Sequence, residues 1–342
     1  MMFQEVSKNT ERFIEQMPKE QRKQYGQFFT SMETARFMAS LFTIDSEKQL
    51  LYALDAGAGS GILSVALIEK CNAILHENQV LDLVCYENDP KVLPLLKENL
   101  DIAKRECRFQ LKTTIIEDNY ILSQRTAFDR DLFAQESLRQ YDLIIGNPPY
   151  KKIGKDALEA LAIPEVCYGA PNLYFLFAAM GIKNLKDDAE MVYIIPRSWT
   201  SRAYFEKFRK FLFSHACIEY IHLFESRNKV FDKESVLQET MIVKFKKNTR
   251  FPSCITISTS ATNKDFSDLH KLDVPYQVVV SDNHYYVHLV TDEEEVKSLQ
   301  SINHFKNTLV DLGLKMKTGL VVDFRSRELL RDSEDDSTIP LI

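Results

Sequence analysis

Four short apolar runs in the first 150 residues reach a polar, mostly acidic end, and that repetition constrains the fold more than any other feature of the chain. Leu50 to Leu54 ends in Asp55, passes through Gly57, Gly59 and Gly61, and enters an apolar helical stretch from Ile62 to Glu69. LDLVCYEND (81–89) is the second run and leads into a helical pattern from Pro90 to about Arg105. LKTTIIEDN (111–119) is the third and YDLIIGNPPY (141–150) the fourth. Strands that alternate with helices bury both faces of a parallel sheet. Open sheets of that kind bind ligands beyond the carboxyl ends of their strands, where these acids, glycines and amide collect.

The pattern continues. NLYFLFAAMGIKNL predicts a buried helix, MVYIIP a fifth strand, and FEKFRKFLFSHA a helix with Phe205, Phe208, Phe211 and Leu212 at helical spacing. IEYIHLF and ETMIVKFKK complete seven strands by about residue 247. The expected fold is therefore α/β, a Rossmann-like, doubly wound and mainly parallel seven-stranded sheet. Residues 1–24 read as a polar helical end, and a helix starting near Thr30-Ser31 is capped by either Ser31 or Thr34. After Lys247 the texture shifts to Thr, Ser and Val with strand-like alternation over 249–291, then a short helical patch, DEEEVKSLQSI. The last residues, STIPLI, are apolar and uncapped, which reads as a longer protein cut short. Two regions are expected, 1–248 and 249–342, in keeping with a length of 342 residues.

Composition narrows the class. Hydrophobic residues at 45% and charged residues at 27% suit a globular chain and exclude a disordered or fibrous one. The longest apolar run, Leu173 to Ile182, falls short of the ~18 residues needed to span a bilayer. The N-terminus has no apolar signal core, so a cytoplasmic protein without membrane contact is expected. A net charge of −6 argues against coating nucleic acid by bulk charge, but leaves room for a local basic cleft. The six cysteines form no C-x-x-C pair and read as reduced, buried thiols. His284 and His288 sit in a strand-like run without metal-site spacing, and no metal is expected.

Asn147-Pro148-Pro149-Tyr150 carries the chemistry. Two prolines remove two N–H donors and hold φ near −65°, so the Pro148 carbonyl projects in a fixed direction. Asn147 adds an amide oxygen and an NH₂ group, and Tyr150 a flat π-face with a polar tip. Two acceptors beside an aromatic plate suit a planar group bearing an exocyclic amine. Accepting both N–H bonds of such an amine draws the nitrogen toward tetrahedral geometry and localises its lone pair. Catalysis would then rest on positioning and preorganised dipoles.

The turn 55–61 has the spacing G-x-G-x-G, and glycine there leaves room for close approach of a ligand. Asp55 at its start suits a cationic centre and would repel a pyrophosphate. Glu87 ends the second strand, where a carboxylate can accept from both hydroxyls of a ribose. Asp118 ends the third, placed to accept from an adenine amine. Together these acids describe S-adenosyl-L-methionine better than NAD.

In these motifs and their order, the chain resembles the gamma-type N6-adenine DNA methyltransferases of restriction–modification systems. YGQFFT (25–30) resembles their N-terminal cofactor motif, LDAGAGSG motif I, CYEND motif II, IIEDN motif III and YDLIIGNPPY motif IV. The resemblance implies that Gln27, Phe29 and Thr30 cover the methionine part of the cofactor. It also implies that Asn88 and Asn119 join Asp55, Gly57, Gly59, Gly61, Glu87, Asp118 and Asn147 in holding it. VYIIPRSWTSRAYFEKFRKFL (192–212) resembles a family segment whose aromatic, here Phe205, contacts the flipped base opposite Tyr150. SVLQETMIV (235–243) and TGLVVDFRSRELL (318–330) resemble later segments, the second near the entry to a recognition domain. The implied fold is that of SAM-dependent methyltransferases. The implied activity is that of a site-specific, adenine-specific DNA-methyltransferase, EC 2.1.1.72, acting on double-stranded DNA beside a cognate restriction endonuclease. Two other readings use the same residues: methylation of a protein glutamine or of guanine N2 in RNA, and an idle DNA-binding module.

Overall fold

The computed structural model describes residues 2–16, 18, 30–128, 138–224, 239–248, 250–262, 266–281, 284–302, 304, 305, 307 and 309–315. Gln27 and Phe29, and the segments 235–238 and 318–330, lie outside them. The chain divides into two units, Met1–Val296 and Lys297–Ile342.

The first unit is built on one sheet, formed by β1 (Leu50–Ala56), β2 (Val80–Tyr86), β3 (Gln110–Ile116), β4 (Tyr141–Gly146), β5 (Leu185–Pro196), β6 (Cys217–Phe224), β7 (Thr240–Lys246), β8 (Cys254–Ser260) and β9 (His270–Pro275). Their order is β3-β2-β1-β4-β5-β7-β6-β8-β9. Pairing is parallel from β3 through to β5 and between β6 and β8; β7 runs antiparallel to β5 and β6, and β9 antiparallel to β8. The mostly parallel α/β expectation holds, with nine strands in place of seven. The two extra strands come from the Thr- and Ser-rich stretch after Lys247. The sheet thus runs on across the expected boundary at 248/249, because β8 finds an open edge on β6 and takes β9 with it.

The helices cover the sheet: α1 (Met2–Gln16), α2 (Met32–Ser40), α3 (Ile62–Asn72), α4 (Leu93–Glu106), α5 (Leu173–Asn184) and α6 (Glu206–His215). Ser31, not Thr34, caps α2: its side chain accepts from the Thr34 N–H. Helix α4 has Pro94 in its first turn, where its missing N–H costs nothing, and Lys104 and Arg105 in its last, which complement the helix dipole at that end. Helix α5 is buried nearly all round, as its unbroken apolar sequence requires. Strand β4 is buried along its whole length and pairs with β1 and β5, so it lies in the interior of the sheet.

Of the cysteines, Cys71, Cys85 and Cys217 are buried as expected, Cys107 and Cys167 are half-buried, and Cys254 is exposed; all are free. Among the described residues, no helix is long and apolar enough to cross a membrane.

Gly61 connects the turn to α3 with φ +78°, and a Cβ there would lie 2.7 Å from Leu96 Cδ1. Gly61→Ala is expected to cost about 2 kcal/mol, from left-handed backbone strain plus displacement of Leu96. Denaturant midpoints of the two proteins measure it, and an unchanged midpoint would contradict the packing seen here.

Candidate active site

Strand register assembles the site. Asp55 on β1 lies opposite Cys85 on β2 and Ile145 on β4, so the Gly-rich turn, Glu87 and Asn147 emerge side by side at one edge of the sheet. The turn is tied down by its neighbours. Gly57 and Ala58 donate their N–H groups to the Tyr86 carbonyl at 2.9 and 2.8 Å, and Gly59 donates to Glu87 Oε2 at 2.9 Å. Buried Asn99 on α4 holds the Ser60 carbonyl at 2.8 Å. Gly57 and Gly59 adopt φ +77° and +56°, a conformation open to glycine at little cost.

A cavity of about 270 Å³ opens at this edge. Its walls bring together Thr30, Gly57, Gly59, Glu87, Asn88, Asp118, Asn119 and Asn147, all expected from sequence, along with Pro149 of the tetrapeptide. Asp55, Gly61, Pro148, Tyr150 and Phe205 do not line it.

Each wall residue has a definite setting. Glu87 accepts from the N–H groups of Gly59, Asn88 and Asp89. Burial raises its pKa, and those three hydrogen bonds oppose the shift. Asn119 caps a single helical turn by accepting from Ile121 and Leu122, while its Nδ2 donates to Glu159 Oε1 at 2.9 Å. Asp118 is exposed at the rim, its Oδ1 accepting from the Asn119 N–H. Asn147 Nδ2 donates to Thr30 Oγ1 at 3.1 Å, and Asn147 Oδ1 accepts from the Tyr150 hydroxyl at 2.9 Å. These partners fix the amide plane. They also join the N-terminal motif to motif IV, although 117 residues separate them.

The residues off the cavity are equally definite. Asp55 is 0% exposed; its Oδ2 accepts from Ser64 Oγ on α3 at 2.7 Å, and its Oδ1 has no partner among the described residues. It therefore stands behind the turn rather than in the wall. Tyr150 is 8% exposed, donates to the Ile194 carbonyl as well as to Asn147, and meets Tyr174 edge-on at 6.3 Å between centroids. Phe205 is 3% exposed in a cluster with Tyr174, Phe175 and Tyr204. Tyr174 touches both Tyr150 and Phe205, so the two rings do not face each other across an open slot.

Sequence reasoning missed Lys151, Glu159, Leu173 and Phe177 in the cavity wall. Lys151 had a signal, its place directly after Tyr150. Phe177 lies within the run read as a buried helix, and a Cβ on Gly57 would come within 3.5 Å of it. Glu159 reaches the wall from a short helix, Leu158–Ala162, in the segment after Tyr150.

The residues present fit a nucleoside cofactor of the kind expected. Ser60 lines the cavity, and its buried hydroxyl has no hydrogen-bond partner among the described residues. Carboxylates of Glu87 and Asp118 offer acceptors for hydroxyl and amine groups, and the glycines let backbone come close.

The strand order with its antiparallel β7, and a Gly-rich turn and NPPY motif sharing one edge, give the chain the fold of class I, SAM-dependent methyltransferases. A solved structure from Listeria monocytogenes, that of a putative class I S-adenosylmethionine-dependent methyltransferase, superposes with a TM-score of 0.52 at 17% identity, over 70% of this chain and 68% of that one. The Eco57I restriction-modification methylase family model matches residues 43–231, and the chain belongs to that family. It is 33% identical to the type II methyltransferase M.PstI of Providencia stuartii over 94% of this chain and 62% of that protein. It is also 33% identical to the type II methyltransferase M.BsuBI of Bacillus subtilis, over 94% of this chain and 63% of that one. The chain thus spans a little over three fifths of the length of these relatives.

Proposed function

We propose that this protein transfers a methyl group from S-adenosyl-L-methionine to the N6 amine of an adenine swung out of double-stranded DNA. The product protects a recognition site from a cognate restriction endonuclease. The observation that carries the reading is the single cavity shared by Asn147 and Pro149 of motif IV and by Gly57, Gly59 and Glu87. The type II methyltransferase relatives support DNA as the substrate. A cytoplasmic location follows from this reading.

S-adenosyl-L-methionine, when bound, supplies an electrophilic methyl group on a cationic sulfur. Gly57, Gly59, Glu87, Asn88, Asp118, Asn119 and Thr30 would hold it, with Gln27 and Phe29 covering its methionine part. Gly61 shapes the turn, and Asp55 stands buried behind it, its carboxyl held by Ser64. Asn147 Oδ1 and the Pro148 carbonyl would accept hydrogen bonds from the two N–H groups of the target amine, Pro149 fixes their direction, and the nitrogen lone pair would be turned toward the methyl group. No strong base is needed before attack, because the amine nitrogen would release its surplus proton to water only after the methyl group has passed to it from the sulfur, which departs as a neutral thioether. A base within a duplex cannot reach this site and must leave the stack. Stacking is assigned to Tyr150, whose ring must gain an open face on base entry; for Phe205 to join it, that ring must leave its aromatic cluster. The linker and the start of a target-recognition region are assigned to the part of 249–342 that follows the sheet.

Incubating the protein with methyl-labelled cofactor and separate pools of unmethylated DNA, protein and RNA tests the reading. Label recovered as N6-methyladenine from DNA is the expected result. Label on a protein glutamine or on RNA guanine would replace it.

Glu87→Ala is expected to weaken cofactor binding about 100-fold, through loss of charge-assisted hydrogen bonds and of the clamp on the Gly59 N–H. Calorimetric titration reads the change. An affinity equal to wild type would remove Glu87 from the cofactor site.

A further inference from the structure

The rim of the cavity carries a second feature, and its reading rests on the proposal that the substrate is DNA. The segment after Tyr150 folds back on itself: Ile153 N donates to the Pro171 carbonyl at 2.8 Å, Leu173 N donates to the Lys151 carbonyl at 2.9 Å, and Lys152 forms an antiparallel bridge with Asn172. That fold sets Lys151 in the cavity wall and leaves Lys152 and Lys155 exposed beside it. The far end of the segment meets the residues after β5. The Tyr204 hydroxyl donates to the Ala170 carbonyl, and the Tyr168 and Tyr204 rings meet edge to face at 6.5 Å. The charge of Lys207 is felt at Cys167, and that of Arg202 at Tyr174.

Lys151, Lys152, Lys155, Arg202 and Lys207 are all exposed, and among the described residues none of them forms an ion pair. Asp156 and Glu165 lie on the same segment, while Glu159 is turned to Asn119. Tyr168 stands 65% exposed among these groups. An exposed aromatic that packs edge to face on Tyr204 and follows Cys167, where the charge of Lys207 is felt, on a segment carrying three further exposed lysines, has the chemistry of a surface for a polyanion with flat faces. The whole chain carries a net charge of −6, so such a patch must be local to work at all.

We propose that this rim is a duplex-DNA contact. Its cations sit on phosphates flanking the target nucleotide, and Tyr168 stacks against a base face exposed where the target has left the helix. A protein surface is the competing occupant, since Leu158 and Leu161 are exposed on the same segment.

Anisotropy of a short labelled duplex, titrated with this 342-residue chain over a range of salt concentrations, tests the assignment. The Lys152→Ala/Lys155→Ala double variant should lower the slope of log K against log salt by nearly two, since each phosphate contact contributes about 0.9. Tyr168→Ala should weaken binding to a gapped duplex about tenfold, and Tyr168→Phe should restore it, because stacking needs the ring and not the hydroxyl. Cofactor titration of each variant controls for folding. A wild-type salt slope in the double variant overturns the phosphate contacts, and wild-type affinity in Tyr168→Ala overturns the stacking contact. If the wild-type chain methylates DNA while both variants bind as it does, the rim assignment alone fails. If label enters protein or RNA instead, the DNA reading fails first.

Discussion

Asn147→Ala is expected to lower the rate of methyl transfer about 10³-fold while the protein stays folded. The amide is held on both sides, by Thr30 Oγ1 at 3.1 Å and by the Tyr150 hydroxyl at 2.9 Å, so its orientation is set before substrate arrives. Preorganised groups of this kind, aimed where charge develops, are worth about 10² to 10³ in rate each. Alanine removes the acceptor and one of the two hydrogen-bond partners of the Tyr150 hydroxyl, leaving the Ile194 carbonyl. The loss should fall on the chemical step, because the turn 55–61 keeps its own hydrogen bonds to Tyr86 and Glu87. Cofactor affinity should change by no more than about tenfold, the worth of one neutral hydrogen bond. Single-turnover rates with labelled cofactor, alongside a calorimetric titration, separate the two effects. Turnover at the wild-type rate would sink the assignment of motif IV as the catalytic group.

The sheet's first half was legible because each strand announced both its burial and its end. Strand β4 is read from YDLIIG, apolar enough for an interior strand, and NPPY cannot continue it, since proline lacks the donor a ladder needs. The same logic located the Gly-rich turn, Glu87, Asp118 and Asn147 at one edge, where the structure places them around one cavity. The far half was less legible. Alternation over 249–291 signals strands, but a local pattern does not reveal which edge a strand will join, and β8 pairs with β6 although β7 lies between them in the chain. Aromatic roles were harder still. Phe205, Phe208 and Phe211 share a helical period, and no periodicity states which ring faces a ligand or that Phe205 packs against Tyr174. Asp55 is the reverse case. Its position at the end of β1 was read correctly, but the direction of its carboxylate depends on Ser64, nine residues on.

That buried carboxylate should make the stability of the protein fall as pH rises from about 5 to about 8. Ser64 donates to Asp55 Oδ2, while among the described residues Oδ1 has no partner and the groups felt at the carboxyl, Cys85 from β2, Tyr193 from β5 and Glu87, bring no positive charge. Burial therefore pushes the Asp55 pKa up to about 7, with the Ser64 hydrogen bond opposing it in part. In the unfolded chain the group titrates near about 3.9. The sign follows from proton counts. Between those two values the folded protein holds a proton that the unfolded chain has lost, so rising pH favours unfolding; above both values the two states are equally ionised and the slope vanishes. The full cost, reached above pH ~7, is about 4 kcal/mol, of which about 3 kcal/mol accrues between pH ~5 and ~8. Asp55→Asn cannot ionise and keeps a partner for Ser64, so its stability should be nearly flat over that interval wherever other groups do not titrate. Urea unfolding of both proteins at the two pH values measures the difference. Parallel pH profiles for wild type and variant would show that the carboxylate is already neutralised by a partner or reached by solvent. The Gly-rich turn would then rest on a charged group rather than on the buried, protonatable acid that this geometry gives it.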